Sequence, residues 1–442
     1  MEKILLLSIN LLLFSALPLG AVELDLAQFL DLVEKNSKDL KLAGQELKYA
    51  AANKKEALSG ALPHVTAGAG CNRNLSDMYM YMDMGALSGD EEAGTTKFPI
   101  TRNNEYSANV VLSQTLFNGA VYSAVKAAKQ YQKLSEFVYD ASYLEIMTFS
   151  KKAYHQALLL KIVWEVSQAS ERNAYDNYID VKKAFETGLA SEFDLLQAEV
   201  RYKDIIPQTT AAERNYNIAL INLKNLAGLF MDEELILNGS LDRYPELPPQ
   251  TTMETILRNR PDFNALQWEE KLRATGVSAE RAAYLPTLTG SLSFVFSSQS
   301  DEWRFDEKND CWIVGLNLSV PIFTGGATKA KVQKAKIELD KTRLTIDRTR
   351  ENIELETVSV RLRLEEAYKR ISSAEATLKT ARKAFSIAEA TSPELTTQLE
   401  LKDSRVVLDQ ATTGYYAAVY EYLDAIFDWE RCVGKVTKES GF

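Results

Sequence analysis

Between residues 339 and 388 apolar side chains recur every seven positions, at Leu339, Ile346, Ile353, Val360, Ala367, Ala374, Ala381 and Ala388. A second row, Leu364, Ile371, Leu378 and Phe385, runs three residues ahead of the last four. A heptad with large residues at one core position and mostly Ala at the other suits helices packed closely along a seam. Just upstream the period is two. Trp312, Val314, Leu316, Leu318, Val320 and Ile322 alternate with Gly315, Asn317 and Ser319, as a strand with one apolar and one polar face requires. Phe323, Thr324, Gly325 and Gly326 end that strand, and Ala327 opens a helix reaching about residue 390, roughly 95 Å at the rise of an α-helix. A chain built on such a helix is one elongated architecture and not several globules.

The plan occurs twice. Asn36-Ser37-Lys38-Asp39, leading to Leu62-Pro63, matches Asn259-Arg260-Pro261-Asp262, leading to Leu285-Pro286, at an offset of 223. Phe117-Asn118-Gly119 matches Phe323-Thr324-Gly325, and Gly228 matches Gly434, both at an offset of 206. The difference is extra loop in the first copy, and the repeat marks a unit that packs beside its twin. Each copy reads as helix, strand pair, very long helix, turn and helix. In the first, a helix over about Leu26–Ser59 precedes a strand near Val65–Cys71, an acidic Gly-rich loop over 72–102 and a strand from Glu105 to Phe117. A helix then runs from about Ala120 to Phe185, with a seam of Ala157, Leu160, Trp164, Ser167, Ala174, Tyr178, Val181 and Phe185. The second copy adds a strand at Thr287–Ser297.

All four strands have an apolar or small-residue face and a small polar one. In a soluble sandwich the polar face meets bulk water; in a membrane barrel it meets the lumen. Little other core-forming sequence stands beside these strands, and four strands leave open edges that lipid does not tolerate. Several chains must therefore contribute, and three would give twelve strands, a size compatible with a central channel. Tyr79, Tyr81, Trp303, Phe305 and Trp312 near the strand ends suit an aromatic belt at a membrane boundary.

Residues 1–21 have the layout of a secretory signal peptide, with an apolar run from Ile4 to Phe14 and small residues before Ala21. No later run is long and apolar enough for a membrane helix. The formal charge of −10 argues against nucleic-acid binding. Cys71, Cys311 and Cys432 make no disulfide framework, and His64 and His155 stand alone. No nucleophile–base pair, phosphate-binding Gly loop or zinc-ligand spacing occurs, so neither enzymatic activity nor a cofactor is expected. Met78, Met80, Met82 and Met84 alternate, so on an extended strand four thioethers share one face. That face is either an apolar cover at a channel mouth or a soft-metal face suited to Cu(I) or Ag(I).

Four motifs at matching spacing carry a family resemblance: Leu112-Ser113-Gln114-Thr115-Leu116-Phe117-Asn118-Gly119, Leu318-Ser319-Val320-Pro321-Ile322-Phe323-Thr324-Gly325-Gly326, Glu280-Arg281-Ala282-Ala283-Tyr284-Leu285-Pro286, and Thr187-Gly188-Leu189-Ala190-Ser191 with Phe193-Asp194-Leu195-Leu196-Gln197-Ala198. Together they resemble the TolC family of outer-membrane channel proteins over essentially the whole chain after residue 21. The resemblance implies a mainly α fold with membrane β: a homotrimer with a twelve-stranded β-barrel, four strands per chain, in outer-membrane lipid, and a twelve-helix α-barrel crossing the periplasm. It also implies docking onto a periplasmic adapter and an inner-membrane pump, proton-driven or ATP-driven. The family's role is passive exit of small toxic compounds, or of secreted proteins in some members.

On this plan residues 22–62 and 251–285 are the first helices of the two repeats, and 63–119 and 286–326 hold the strands. Residues 120–227 and 327–434 are the long coiled-coil helices, with tips near 187–191 and 392–397; 228–250 links the repeats and 435–442 is a tail. Phe117, Gly119, Phe323, Gly325 and Gly326 make the strand-to-helix turns. Gly188, Leu189 and Ser191, with Leu395 of the twin turn, lie at the tip that meets the adapter, although Glu394 stands where Gly188 stands. Glu400 and Asp403 match the acidic positions lining the family's constricted periplasmic entrance. Three apart on a helix, they share a face and would form stacked carboxylate rings in a trimer. Asp194 and Gln197 are their weaker twins. A rival reading, a periplasmic adapter, would carry one coiled-coil hairpin in β domains and not two alternating copies.

Overall fold

The structure, a computed structural model, describes residues 22–83, 95–391 and 398–435. The signal segment, Met84, the second tip with Leu395, and the tail beyond residue 435 lie outside the described residues. In the first copy the order is β1 (Val22–Leu24), α1 (Leu26–Asn36), α2 (Lys38–Ser59), β2 (His64–Arg73), β3 (Tyr79–Asp83), β4 (Thr95–Pro99), β5 (Asn104–Phe117), α3 (Gly119–Glu186) and α4 (Glu192–Ala227). The segment between the copies carries β6 (Leu235–Leu237), and the second copy follows with α5 (Met253–Asn259), α6 (Pro261–Ala282), β7 (Thr287–Ser300), β8 (Asn309–Ser319), α7 (Ala327–Thr391) and α8 (Gln398–Val433). The chain divides into two compact units, one of residues up to Gln45, Phe137–Asn264 and Asp347 onward, the other of Glu46–Glu136 and Ala265–Ile346.

The first unit is mainly helical. The heptad seam of α7 is its inward stripe: Ile353, Val360, Leu364, Ala367, Ile371, Leu378 and Ala381 are buried. Leu378 and Ala381 pack with Ala411 of α8, flanked by Leu408 and Tyr415. In α3 the seam is looser; Ala157 is buried, whereas Phe185, in the last turn, is exposed. His155 lies buried beside Phe427, its ring 5.0 Å away, and burial lowers its pKa to about 4. It is a core residue held neutral.

Each first helix is in fact two. Ser37 separates α1 from α2 with non-helical backbone (φ −50°, ψ 126°), and Arg260, extended, separates α5 from α6 (φ −70°, ψ 115°). In the second copy Pro261 forces the break, because it restricts the residue before it and starts a helix well. In the first, Ser37 takes the cap role, its Oγ accepting from the Leu40 N–H at 3.4 Å. The last helix of each copy ends against its own break. The C-capping Gly228 (φ +66°) lies against Asn36, whose Nδ2 donates to the Ala227 carbonyl at 3.0 Å. Gly434 (φ +72°) lies against Asn259 in the twin.

The segment between copies docks on the helices. Its strand β6 pairs in parallel with β1, and Leu235, Leu237 and Leu241 are buried. Tyr422 Oη donates to the Pro245 carbonyl at 3.0 Å and Arg361 Nη1 to that of Pro248 at 2.6 Å.

The second unit holds a four-stranded sheet in the order β2-β5-β7-β8, antiparallel throughout. β8 stops at Ser319, short of the alternation that continues to Ile322. Its partner β7 begins opposite Ser319 at Thr287, and Pro321 has no N–H to offer a ladder. Val320–Phe323 therefore run as exposed chain into Gly325 and Gly326, both in the left-handed region (φ +61° and +83°). The twin turn is tighter: α3 starts at Gly119, where a Cβ would stand 2.9 Å from that of Ala282. The loop over 72–102 is not wholly irregular, since β3 and β4 form a separate hairpin within it.

A Cβ at Gly434 would lie 2.7 Å from the Asn259 carbonyl carbon and oxygen, and at Gly228 2.8 Å from Asn36 Cβ. Gly434→Ala should lower stability by at least about 2 kcal/mol, combining left-handed strain with a backbone clash. Urea unfolding followed by circular dichroism measures this, and Gly228→Ala should move in the same direction.

Candidate functional site

Register assigns the two faces of the sheet. Val65, Leu112, Leu292 and Val314 stand in one cross-strand row, and Ala67, Val110, Phe294 and Trp312 in the next. Opposite-facing rows are smaller and more polar: Thr66, Val111, Ser293 and Ile313, then Gly68, Asn109, Val295 and Cys311. The apolar face is uncovered, with Val314 79% exposed. Aromatic rings gather on it towards the end remote from the strand-to-helix turns, where Phe305 packs on Tyr106 (4.7 Å) and Phe296 (6.1 Å). Beyond them the chain turns polar: Arg102 pairs with Asp301 and Glu307, and Asp306 accepts from Ser300 and Arg304. This is the sequence of an outward apolar band, an aromatic girdle and a wet loop. Both edges, β2 and β8, are without a strand partner among the described residues. Cys71 and Cys311 point to opposite faces and are free thiols, as is the buried Cys432.

The helical unit provides the second candidate. Helix α3 ends in a compact turn: Gly188 (φ +75°) donates to the Phe185 carbonyl, and the Leu189 and Ala190 N–H groups both donate to that of Ala184. Ser191 caps α4 through a reciprocal box with Asp194. Ser191 N–H and Oγ donate to Asp194 Oδ2 at 3.1 and 2.7 Å, and the Asp194 N–H returns to Ser191 Oγ at 3.2 Å. These bonds hold the Asp194 carboxyl below the ordinary carboxylate range. The turn presents Leu189, 85% exposed, and Phe193, Leu196 and Val200 continue an exposed apolar stripe along α4. Its spacing of three and four is the only sign of that stripe in the sequence.

Glu400 and Asp403 are exposed in the first two turns of α8, and Gln197 is exposed on α4. Between the two acids stands Lys402, half-buried, its pKa lowered by desolvation and by Arg201 and partly restored by Asp194 and Asp403. The acidic positions of the two copies thus act on one ammonium group, a coupling across helices that the sequence does not display. Lys402 and Arg201 line a cleft of about 700 Å³ among α3, α4, α7 and α8. Deeper in it Asp409 accepts from Ser170 of α3 and stands 3.2 Å from Arg405 Nε. Among the described residues no group of His, Cys, Asp and Glu could hold a metal ion.

The sequence profile described as "Outer membrane efflux protein" matches residues 29–229 and 252–428. The chain belongs to that family. Its two matched segments are the two copies, and the gap between them lies in the linker. Among curated relatives, the probable outer membrane lipoprotein SilC of Salmonella typhimurium is 23% identical over 81% of this chain and 73% of its own length. The alkaline protease secretion protein AprF of Pseudomonas aeruginosa is 24% identical over 58% of this chain and 55% of its own length, so the chain matches only about half of it. Among solved structures, the Campylobacter jejuni CmeC outer membrane channel superposes with a TM-score of 0.77 at 22% identity, covering 92% of this chain and 85% of that one. The fold is therefore that of the outer-membrane efflux channels, as the motifs led one to expect.

Removing the cap should loosen the tip without unfolding the bundle. Ser191→Ala costs about 1 kcal/mol locally, the usual value of an N-cap. Amide exchange at residues 192–195 should accelerate about fivefold, with exchange in the seam of α7 unchanged.

Proposed function

We propose that three copies of this chain close into an exit duct through the outer membrane, each contributing its four strands to one barrel and its helices to one periplasmic conduit. The observation that carries this reading is the sheet with an exposed apolar face and two open edges. Backbone donors and acceptors on β2 and β8 must be paired within lipid, and joining β8 of one copy to β2 of the next pairs them all. Further apolar residues await partners on α7, where Leu355, Val358 and Leu362 are exposed along one side. The polar face then lines water, and the apolar band with its aromatic end meets lipid.

The duct performs no chemistry in this reading; a partner pump supplies the energy. Leu189, with Phe193 and Val200, gives the adapter an apolar edge at the tip. Glu400 and Asp403 form the acidic rings of the entrance, attracting cations, and Lys402 moderates them. Asp194 serves first as a helix cap, so the first-copy ring is the weaker one. Small toxic compounds are the preferred cargo; the similarity to AprF, named for protease secretion, favours protein export as the second reading.

Two measurements test this. Val314→Arg, on the apolar face, should destabilise the bilayer-inserted protein by roughly 2–4 kcal/mol, whereas Ser293→Arg, on the other face, should leave insertion intact and shift ion preference towards anions. In planar bilayers, Glu400→Ala with Asp403→Ala should reduce cation preference, and Lys402→Gln should raise it. Equal effects of the two Arg variants would remove the barrel assignment, and unchanged reversal potentials would remove the entrance.

A further inference from the structure

We propose that Met78, Met80 and Met82 form a thioether site for a soft monovalent cation, Cu(I) or Ag(I), on the hairpin of β3 and β4. The chain has eight methionines, and four of them fall within residues 78–84. Their alternation is a structural fact and not only a sequence pattern. Met80 stands opposite Phe98 and Met82 opposite Thr96 in the ladder. Met78 extends it by one step, its carbonyl accepting from the Ile100 N–H at 2.9 Å and its N–H donating to Thr101 Oγ1 at 3.0 Å. Three thioethers therefore project from one face of a paired strand.

That face is accessible and chemically selective. Met78 is 61% and Met80 46% exposed. Cross-strand neighbours on it are Ile100, Phe98 and Thr96, so no carboxylate or ammonium from the opposite strand competes with sulfur. Charge lies on the other face, where Lys97 Nζ sits 4.2 Å from the centre of the Tyr79 ring, and Asp77 is engaged by Tyr79 Oη at 3.1 Å. Same-face residues two apart are about 7 Å apart along a strand. The unbranched methionine side chain, with three rotatable bonds, lets neighbouring sulfurs converge on one ion. Hard cations need several oxygen ligands, carboxylates above all, and this face offers only the Thr96 hydroxyl, whereas thioethers select Cu(I) and its soft analogues. A plain apolar cover would use Leu, Ile or Val as readily; alternating sulfur is what sets this hairpin apart.

The test uses the full chain in detergent, with Cys71→Ser and Cys311→Ser to remove the exposed thiols, in chloride-free buffer with Ag(I) as probe. Equilibrium dialysis should show Ag(I) retained, and methyl resonances of Met78, Met80 and Met82 should shift on its addition while those of Met147, Met231 and Met253 do not. Met78→Leu with Met80→Leu and Met82→Leu keeps volume and apolarity and should weaken retention at least about tenfold. Equal retention by that variant, or no retention by the parent, overturns the proposal. Should the variant fail to fold, the parent's methyl spectrum decides alone, and unshifted methionines refute the site. The experiment reads binding only, so its failure leaves the exit-duct reading untouched.

Discussion

The structure depends on hydrogen bonds that the single chain cannot complete. Within hydrocarbon each unpaired backbone group costs several kcal/mol, and the four-stranded sheet ends in two strands with one side open. The outward row of Val65, Leu112, Leu292 and Val314 draws the sheet into lipid, and lipid then makes an isolated edge untenable. On the proposed duct reading, association of copies follows from these two facts together. A soluble protein with the same strands would need only to cover one face; here the apolar face is satisfied by lipid, and the edges are what remain.

Duplication supplies the second constraint. The glycine that caps the last helix of each copy rests on the asparagine before that copy's helix break, as Gly228 on Asn36 and Gly434 on Asn259. The two copies thus share a local closure, while diverging at the strand-to-helix turns. One strand-to-helix turn is a close contact at Gly119, and the other is an exposed run ending in Gly325 and Gly326. The first tip is built on a glycine, Gly188, and a capping box of Ser191 with Asp194, whereas Glu394 stands in the sequence where Gly188 does.

Long periodic elements were legible in the sequence because periodicity survives over many residues. Helices expected at about 120–185 and 327–390 occupy Gly119–Glu186 and Ala327–Thr391, and the buried seam of α7 is the heptad row itself. What escaped was short or collective. One extended residue at Ser37 or Arg260 does not disturb an apolar period on either side of it. The three-residue pairing of β1 with β6 has no pattern that a window could detect, and the β3–β4 hairpin was masked by its acidic, Gly-rich context. The surroundings of Lys402 escaped as well, because Arg201 and Asp194 act on it from another helix. The end of β8 was set by its partner's start and by Pro321, which outweighed two further apolar residues at the right spacing.

Native mass spectrometry of the detergent-extracted protein tests the central claim most directly, because it counts the copies that share the two open edges. The expected result is a species of three chains that persists on dilution and falls apart only when the sheet unfolds. A folded single chain, stable in detergent with β2 and β8 both unpaired, would contradict it.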